Sequence, residues 1–271
     1  MTSNPLSVSA IQAQLGPHPW AGSIHIFDEV ASTNTLAKEM AAKGAPAGTV
    51  LLADRQTAGR GRLGRSFLSP GDVGIYFSLI LGPNCAPQAL MHLTCAVAVA
   101  MCDAVEAACG FRPGIKWTND LVAGSKKLSG ILTELSLNAK TGLVDYAVVG
   151  IGLNCRQREE DFDESIRPIA CSARMVSGHD IDRNRIAAEM IRVLHEMDAN
   201  LLTDRSAMLE RYRMDCITLG RQISILRGDD VSHGRALSID EEGGLIVRLD
   251  SGEIQTVSSG EVSIRGLYGY I

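Results

Sequence analysis

In the seven residues Gly59-Arg60-Gly61-Arg62-Leu63-Gly64-Arg65, three glycines alternate with three arginines. Neither a helix nor a strand favours that composition. Glycine lets a ligand approach the main chain closely, and arginine brings a permanent charge and a planar fork of donors suited to carboxylate or phosphate. The chemistry it offers is capture of an anion by a loop. A solvated basic loop is the plainer alternative, and the neighbouring residues decide between them. Ser32-Thr33-Asn34 supplies two hydroxyls and an amide at a helix start, where simple capping is the ordinary role. Lys116-Trp117-Thr118-Asn119-Asp120 gathers a cation, an aromatic ring, an amide and a carboxylate, although Asn119-Asp120 alone reads as a turn. Lys126-Lys127-Leu128-Ser129-Gly130-Ile131-Leu132 sets Lys127 at the start of an apolar strand, with Lys126 as an ordinary surface lysine. Gly150-Ile151-Gly152-Leu153-Asn154 ends another strand on two glycines and an amide.

The surrounding elements must position these groups. Ile24–Phe27, Val50–Ala53 and Gly74–Leu81 read as strands, so the Gly/Arg segment joins two core strands, a usual place for a binding loop. Residues 36–42 read as a helix stopped near Gly44 and Pro46, and Gln88 to about Cys109 as a long buried helix ended by Gly110. Further strands are expected at 115–117, 127–137 and 145–153, and mostly helix at 182–214. Residues 1–22, with Pro5, Pro17 and Pro19, read as an irregular lead-in. From residue 217 short alternating runs (217–226, 234–239, 245–249, 253–257 and 262–265) separated by glycine turns suggest a small β-barrel.

Bulk composition limits the partners. The chain has 271 residues, 45% hydrophobic and 21% charged, with a net charge of −5. An acidic chain with one local basic loop is a poor match to a polyanion, so no nucleic acid is expected as main partner. The apolar window 93–101 is too short to cross a membrane. Seven cysteines without CxxC spacing or signal peptide fit a reduced, cytoplasmic setting. Cys95, Cys102 and Cys109 recur every seven residues, which fits a buried helix face better than a metal site.

Taken together, the motifs resemble those of the biotin–protein ligases. The family patterns GRGRxGR…SP, KWPND, KLxGIL and GIGxN appear in order within residues 56–154, and Ser32-Thr33-Asn34 matches its upstream element. Phe67 stands where the family usually has Trp, and Thr118 where it has Pro. The resemblance implies an α+β fold: a mixed-sheet catalytic domain of the biotin/lipoate ligase type over residues 1–216 and an SH3-like C-terminal β-barrel over 217–271. It implies formation of biotinyl-5′-AMP from biotin and ATP with Mg²⁺, then transfer of biotin to a lysine of a biotin carboxyl carrier protein, by a monomer or homodimer. Some thirty residues before Ser32 are too few for the winged helix of the family's repressors, so no operator binding is expected.

Residue by residue, the resemblance assigns biotin to Ser32, Thr33, Asn34, Gln56, Gly59, Arg60, Gly61, Arg62, Lys127 and Gly130. It assigns ATP to Arg62, Arg65, Phe67, Asn119, Asp120, Lys127, Gly152 and Asn154. Lys127, Arg62 and Arg60 are the catalytic candidates, and Asp120 is a candidate base for the carrier lysine. The alternatives are a lipoate or octanoate ligase or transferase, which lack this Gly/Arg pattern, and a non-catalytic biotin-binding module.

Overall fold

The computed structural model describes residues 5–258 and 263–266. Its first part runs α1 (Val8–Leu15), β1 (Ile24–Val30), α2 (Thr33–Ala42), β2 (Val50–Gln56), β3 (Gly74–Leu81), α3 (Leu93–Cys109), β4 (Gly114–Lys116), β5 (Asp120–Ala123), β6 (Lys126–Leu137), β7 (Val144–Asn154), α4 (Ala173–Ser177), α5 (Arg183–Asn200) and α6 (Arg205–Asp215). The strands form one seven-stranded sheet in the order β1-β2-β3-β7-β6-β5-β4. Only the β1–β2 pair is parallel, so the sheet is mixed. Five more strands, β8 (Gln222–Arg227), β9 (Asp230–Ile239), β10 (Leu245–Leu249), β11 (Ile254–Val257) and β12 (Ser263–Gly266), pair antiparallel in the order β11-β10-β9-β8-β12. The expected last strand began at Val262, which lies outside the described residues.

The two faces of the large sheet differ, and that difference places the site. Because strand side chains alternate, one face of β3 and β7 buries Ile75, Phe77, Leu79, Val149, Ile151 and Leu153 in the main core with α3 and α5. On the other face only α2 packs, through a small cluster of Ala37, Leu51, Ile80 and Val148. The positions that continue this second face along β7 are Gly150 and Gly152. Gly130 of β6 pairs in register with Gly152. Where α2 ends its cover, the sheet is therefore without side chains, and a trough remains.

Three local expectations need correction, and the mostly helical reading of 182–214 holds with one break. Residues 8–15 are helical rather than irregular: the Ser7 hydroxyl accepts from the Ala10 N–H as an N-cap, and Ile11 and Leu15 are buried, on a helix that packs against α5. The helix expected from Gln88 begins at Leu93, after a separate 3₁₀ turn at Pro87–Leu90. The helical stretch 182–214 is two helices, α5 and α6. Asp120 opens a strand, β5, which hairpins into β6 through Gly124-Ser125; Gly124 has φ +58°, a conformation suited to a tight hairpin.

The apolar stretch at α3 is also longer than its nine-residue centre. Pro87–Cys109 spans 23 residues and by composition could cross a bilayer, yet most of it is buried inside the protein. Cys95, Cys102 and Cys109 all lie in the core. Burial pushes the Cys95 and Cys109 thiols up to about 12, and the other cysteines are raised too. Neutral thiols are poor nucleophiles. At pH 8 an alkylating reagent should therefore modify Cys85, the one cysteine not buried, and reach all seven only after denaturation. Rapid native labelling of Cys95, Cys102 or Cys109, read by peptide mass mapping, would contradict this core.

Candidate active site

The trough opens into a cavity of about 640 Å³. Its walls include Ser32, Thr33 and Asn34 at the start of α2, Gln56 at the end of β2, the Gly/Arg loop, the 116–120 turn and the glycines of β6 and β7. A second cavity of about 140 Å³ lies beside it and shares Phe67, Lys127 and Ile169. Asn154 lines this smaller cavity and not the larger one.

At one end the walls are neutral and hydrogen-bonding. Ser32 is the N-cap of α2, but its hydroxyl makes no capping hydrogen bond, so capping does not explain it. The Asn34 amide lies on Gly150: a Cβ there would sit 2.0 Å from Asn34 Oδ1. Ser78 and Leu132 flank Gly150 in register on β3 and β7's other neighbour. Ser78 Oγ donates to Asn34 Oδ1 (2.6 Å) and to Thr33 Oγ1 (2.9 Å), while Asn34 Nδ2 donates to Leu132 O (3.3 Å) and Glu134 Oε2 (3.0 Å). Gln56 Oε1 accepts from the Thr33 N–H (2.8 Å) and hydroxyl (3.1 Å), and Gln56 Nε2 donates to Ser69 Oγ (2.9 Å). Gly150→Ala should displace the Asn34 amide. The expected outcome is at least a ~10-fold weaker affinity for the ligand of this end, measurable by calorimetry, with the fold retained.

The other end is charged. Lys127 Nζ lies 2.6 Å from Asp120 Oδ1 across the β5–β6 hairpin. A Cβ on Gly130 would come within 3.1 Å of that Nζ, so glycine leaves room beneath the pair that any larger residue would have to take from Lys127. The Gly/Arg segment folds back on itself as a small flap: Gly61 N–H donates to Arg65 O (2.7 Å) and Phe67 N–H to Gly59 O (2.9 Å), with Leu63 and Gly64 at positive φ at the tip. Arg62 Nη1 donates to Asn119 Oδ1 (2.9 Å), and Asn119 Nδ2 to Ile131 O (2.9 Å). Burial lowers the Arg62 pKa despite the nearby Asp120 charge. The Phe67 ring covers Gly152, where a Cβ would fall 2.5 Å from it. Arg60 reaches Glu134 (3.7 Å).

The neck of the flap is tied to the body from beneath. The side chain of Arg183, fully buried at the start of α5, donates to Asp54 Oδ1 (2.7 Å) and Gly74 O (3.2 Å) and approaches Asp72 (3.6 Å). The 117–119 turn is held by the following segment and the C-terminal strands: Trp117 N–H donates to Thr218 Oγ1, Trp117 Nε1 to Gly243 O (3.0 Å) and Tyr212 OH to Thr118 O (3.1 Å).

Most residues singled out in the sequence therefore meet on one cavity. Gly59 does not: it lies in the neck, against Phe67 O and Ser69 Oγ, and its contribution is close packing. Asp120, the candidate base, is engaged by Lys127. Sequence reasoning missed Ser78, Glu134 and Gly150 as parts of the site. Gly150 stood inside a motif already in view; Ser78 and Glu134 gave no signal of their own.

Residues 26–154 match the Biotin/lipoate A/B protein ligase family and residues 218–265 the Biotin protein ligase C terminal domain. The biotin--[acetyl-CoA-carboxylase] ligase of Mycobacterium tuberculosis is 33% identical over 268 residues, covering 95% of each chain. The chain belongs to the biotin protein ligase family. The bifunctional ligase/repressor BirA of Bacillus spizizenii is 34% identical over 260 residues, 96% of this chain and 79% of the relative. The biotin protein ligase of Aquifex aeolicus, solved with biotin and ATP, is 31% identical with a TM-score of 0.78, over 90% of this chain and 99% of that one. The protein is thus a ligase, with the mixed sheet and SH3-like C-terminal strands of the biotin protein ligases.

Proposed function

We propose that the protein joins biotin to a specific lysine of a biotin carboxyl carrier domain, in two steps on one cavity. The observation that carries this reading is the polarity of the cavity's neutral end. Thr33 Oγ1 and Asn34 Oδ1 both accept from Ser78, which leaves each an acceptor lone pair. Ser32 adds a hydroxyl not used in capping. Two acceptors beside a donor complement a cyclic urea, which carries two N–H groups and a carbonyl. A dithiolane or an alkyl chain has no N–H and would leave these groups unpaired, at a cost of about 1–3 kcal/mol each. This disfavours lipoate and octanoate. Gln56 holds Thr33, and Asn34 is held on Gly150.

The ligand carboxylate would then point to the charged end. In the first step a carboxylate oxygen attacks the α-phosphorus of ATP, the bond to pyrophosphate breaks, and biotinyl-5′-AMP forms. Two anions must be brought together, so cations are needed to offset their repulsion as charge gathers on phosphorus. Lys127 stands where the two cavities meet, and Arg60, Arg62 and Arg65 line the flap beside it. Phe67 offers an apolar ring for the nucleotide, and Asn119, Asn154 and Gly152 border the same region. In the second step the carrier ε-amine attacks the acyl carbon, its proton leaves to solvent or to Asp120, and AMP departs. The flap would shield the anhydride from water.

Among the described residues no group of three or more His, Cys, Asp or Glu is gathered to cage a resident ion. Mg²⁺ usually binds through substrate phosphates and one or two carboxylates, and Asp120 with Asn119 could meet it there. It enters as the magnesium complex of ATP. A net charge of −5 and a basic loop committed to the cavity support a ligase without operator binding, and seven free thiols support a reduced, cytoplasmic setting.

Incubation with biotin, Mg-ATP and an apo carrier domain should add one biotinyl group to one lysine, read by mass spectrometry. A carrier that stays unmodified, or that is modified equally with lipoate, would overturn the proposal.

A further inference from the structure

We infer that Ser78 and Glu134 are positioning residues that set the polarity of the neutral end from both sides, and so make the cavity specific for a ligand with two N–H donors. Neither is among the residues lining the cavity. The inference rests on the biotin reading above.

The Asn34 side chain is symmetric in shape and could present its oxygen or its nitrogen to a ligand. Leu132 O, which accepts from Asn34 Nδ2 (3.3 Å), and two neighbouring side chains remove that choice. Glu134 on β6 accepts through Oε2 from Asn34 Nδ2 (3.0 Å) and through Oε1 from Lys38 Nζ (2.7 Å); Arg60 Nη1 lies 3.7 Å from Oε1. An ionised carboxylate is acceptor only, so it demands the amide nitrogen. Half-burial opposes the charge, but the hydrogen bonds from Lys38 and Asn34 and the charges of Lys38 and Arg60 outweigh it and hold the Glu134 carboxyl below its usual range. On the other side Ser78, fully buried on β3, has one proton and directs it at the oxygens of Asn34 and Thr33. The Thr33 hydroxyl proton is drawn in turn to Gln56 Oε1, whose own orientation is fixed by the Thr33 backbone N–H. The hydrogen bonds thus run outward from Ser78, through Asn34 to Glu134 and through Thr33 to Gln56, and both Asn34 Oδ1 and Thr33 Oγ1 are acceptors.

A Glu134→Gln substitution should undo this. Lys38 keeps the amide oxygen, so the new NH₂ turns toward Asn34. The Asn34 nitrogen is still held by Leu132 O (3.3 Å), so two NH₂ groups face each other and the Asn34 amide is pushed out of place. Ser78→Ala removes the one proton that the two oxygens share, at the centre of the network and with the loss of a single heavy atom. The test is calorimetric titration of native protein and both variants with biotin alone, together with the KM for ATP in biotin-saturated pyrophosphate exchange. Both variants should bind biotin at least ~10-fold more weakly with the KM for ATP within about twofold of native. Biotin affinity within about twofold of native in either variant would overturn the inference. So would equal losses for biotin and ATP, which would mark general packing damage. Native protein that binds no biotin would overturn the functional reading itself, and the first titration alone distinguishes that case.

Discussion

Lys127→Ala is expected to slow biotin-dependent adenylate formation by about 10³-fold, or ~4 kcal/mol of transition-state stabilisation, measured as exchange of pyrophosphate into ATP. Lys127 stands at the start of β6, bridges to Asp120 at 2.6 Å and lines both cavities. The arginines of the flap sit on a loop, whereas Lys127 stands on a sheet strand above Gly130. A cation fixed on a rigid element needs no reorganisation as charge develops on phosphorus. Arginine should not replace it well, because a planar guanidinium spreads its charge over a fork and cannot place it as a compact ammonium does at 2.6 Å from Asp120. The alanine variant should keep its melting temperature, since the Lys127 side chain is about a third exposed and such pairs contribute little to stability. Near-native exchange would remove Lys127 from its role.

The largest stability effect should come from Arg183→Ala, far from the chemistry. Its side chain is fully buried against Asp54, while the Asp54 side chain is partly exposed. Breaking a buried pair by removing one partner costs about 3–5 kcal/mol. Water can reach Asp54, so the lower figure applies. For a chain of this size ~3 kcal/mol corresponds to a fall of roughly 6–12 °C in melting temperature. The same substitution frees the neck of the flap, since Asp54 also accepts from the Asp72 N–H at 3.0 Å. Tryptic cleavage within the flap should therefore accelerate. A melting temperature within about 2 °C of native would show that Arg183 is not the anchor described.

Much of this was legible in the chain because the signals are local. Strands β2, β3 and β7 carry apolar runs and β1 and β6 alternate, each bounded by turns, and the four motifs are contiguous. What escaped was non-local or hidden in composition. Helix α1 has only two buried residues and three nearby prolines, so its amphipathic pattern is short. Strand β5 begins on Asp120, a residue that favours turns, and is drawn into the sheet by pairing with β6. Gly59 resembled its neighbours in sequence but packs in the neck, because the flap turns back at Gly61. Ser78 is a single hydroxyl inside an unbroken apolar run. Its meaning appears only when the register of β3 and β7 sets it beside Gly150 and under Asn34. Glu134 gave no signal in the chain, because its partners Asn34 and Lys38 on α2 lie about 100 residues away. Arg183 sat at a helix start with no hint of burial; its partners lie some 110 to 130 residues away in sequence.

The most direct test is pyrophosphate release by the purified protein with Mg-ATP, in parallel with biotin, lipoate, octanoate and no acid. Release is expected with biotin and with none of the others, because a cyclic urea would pair with the acceptors of Thr33 and Asn34 and a dithiolane or alkyl chain would leave them unpaired. Release with lipoate or octanoate at a similar rate, or no release with any acid, would contradict it.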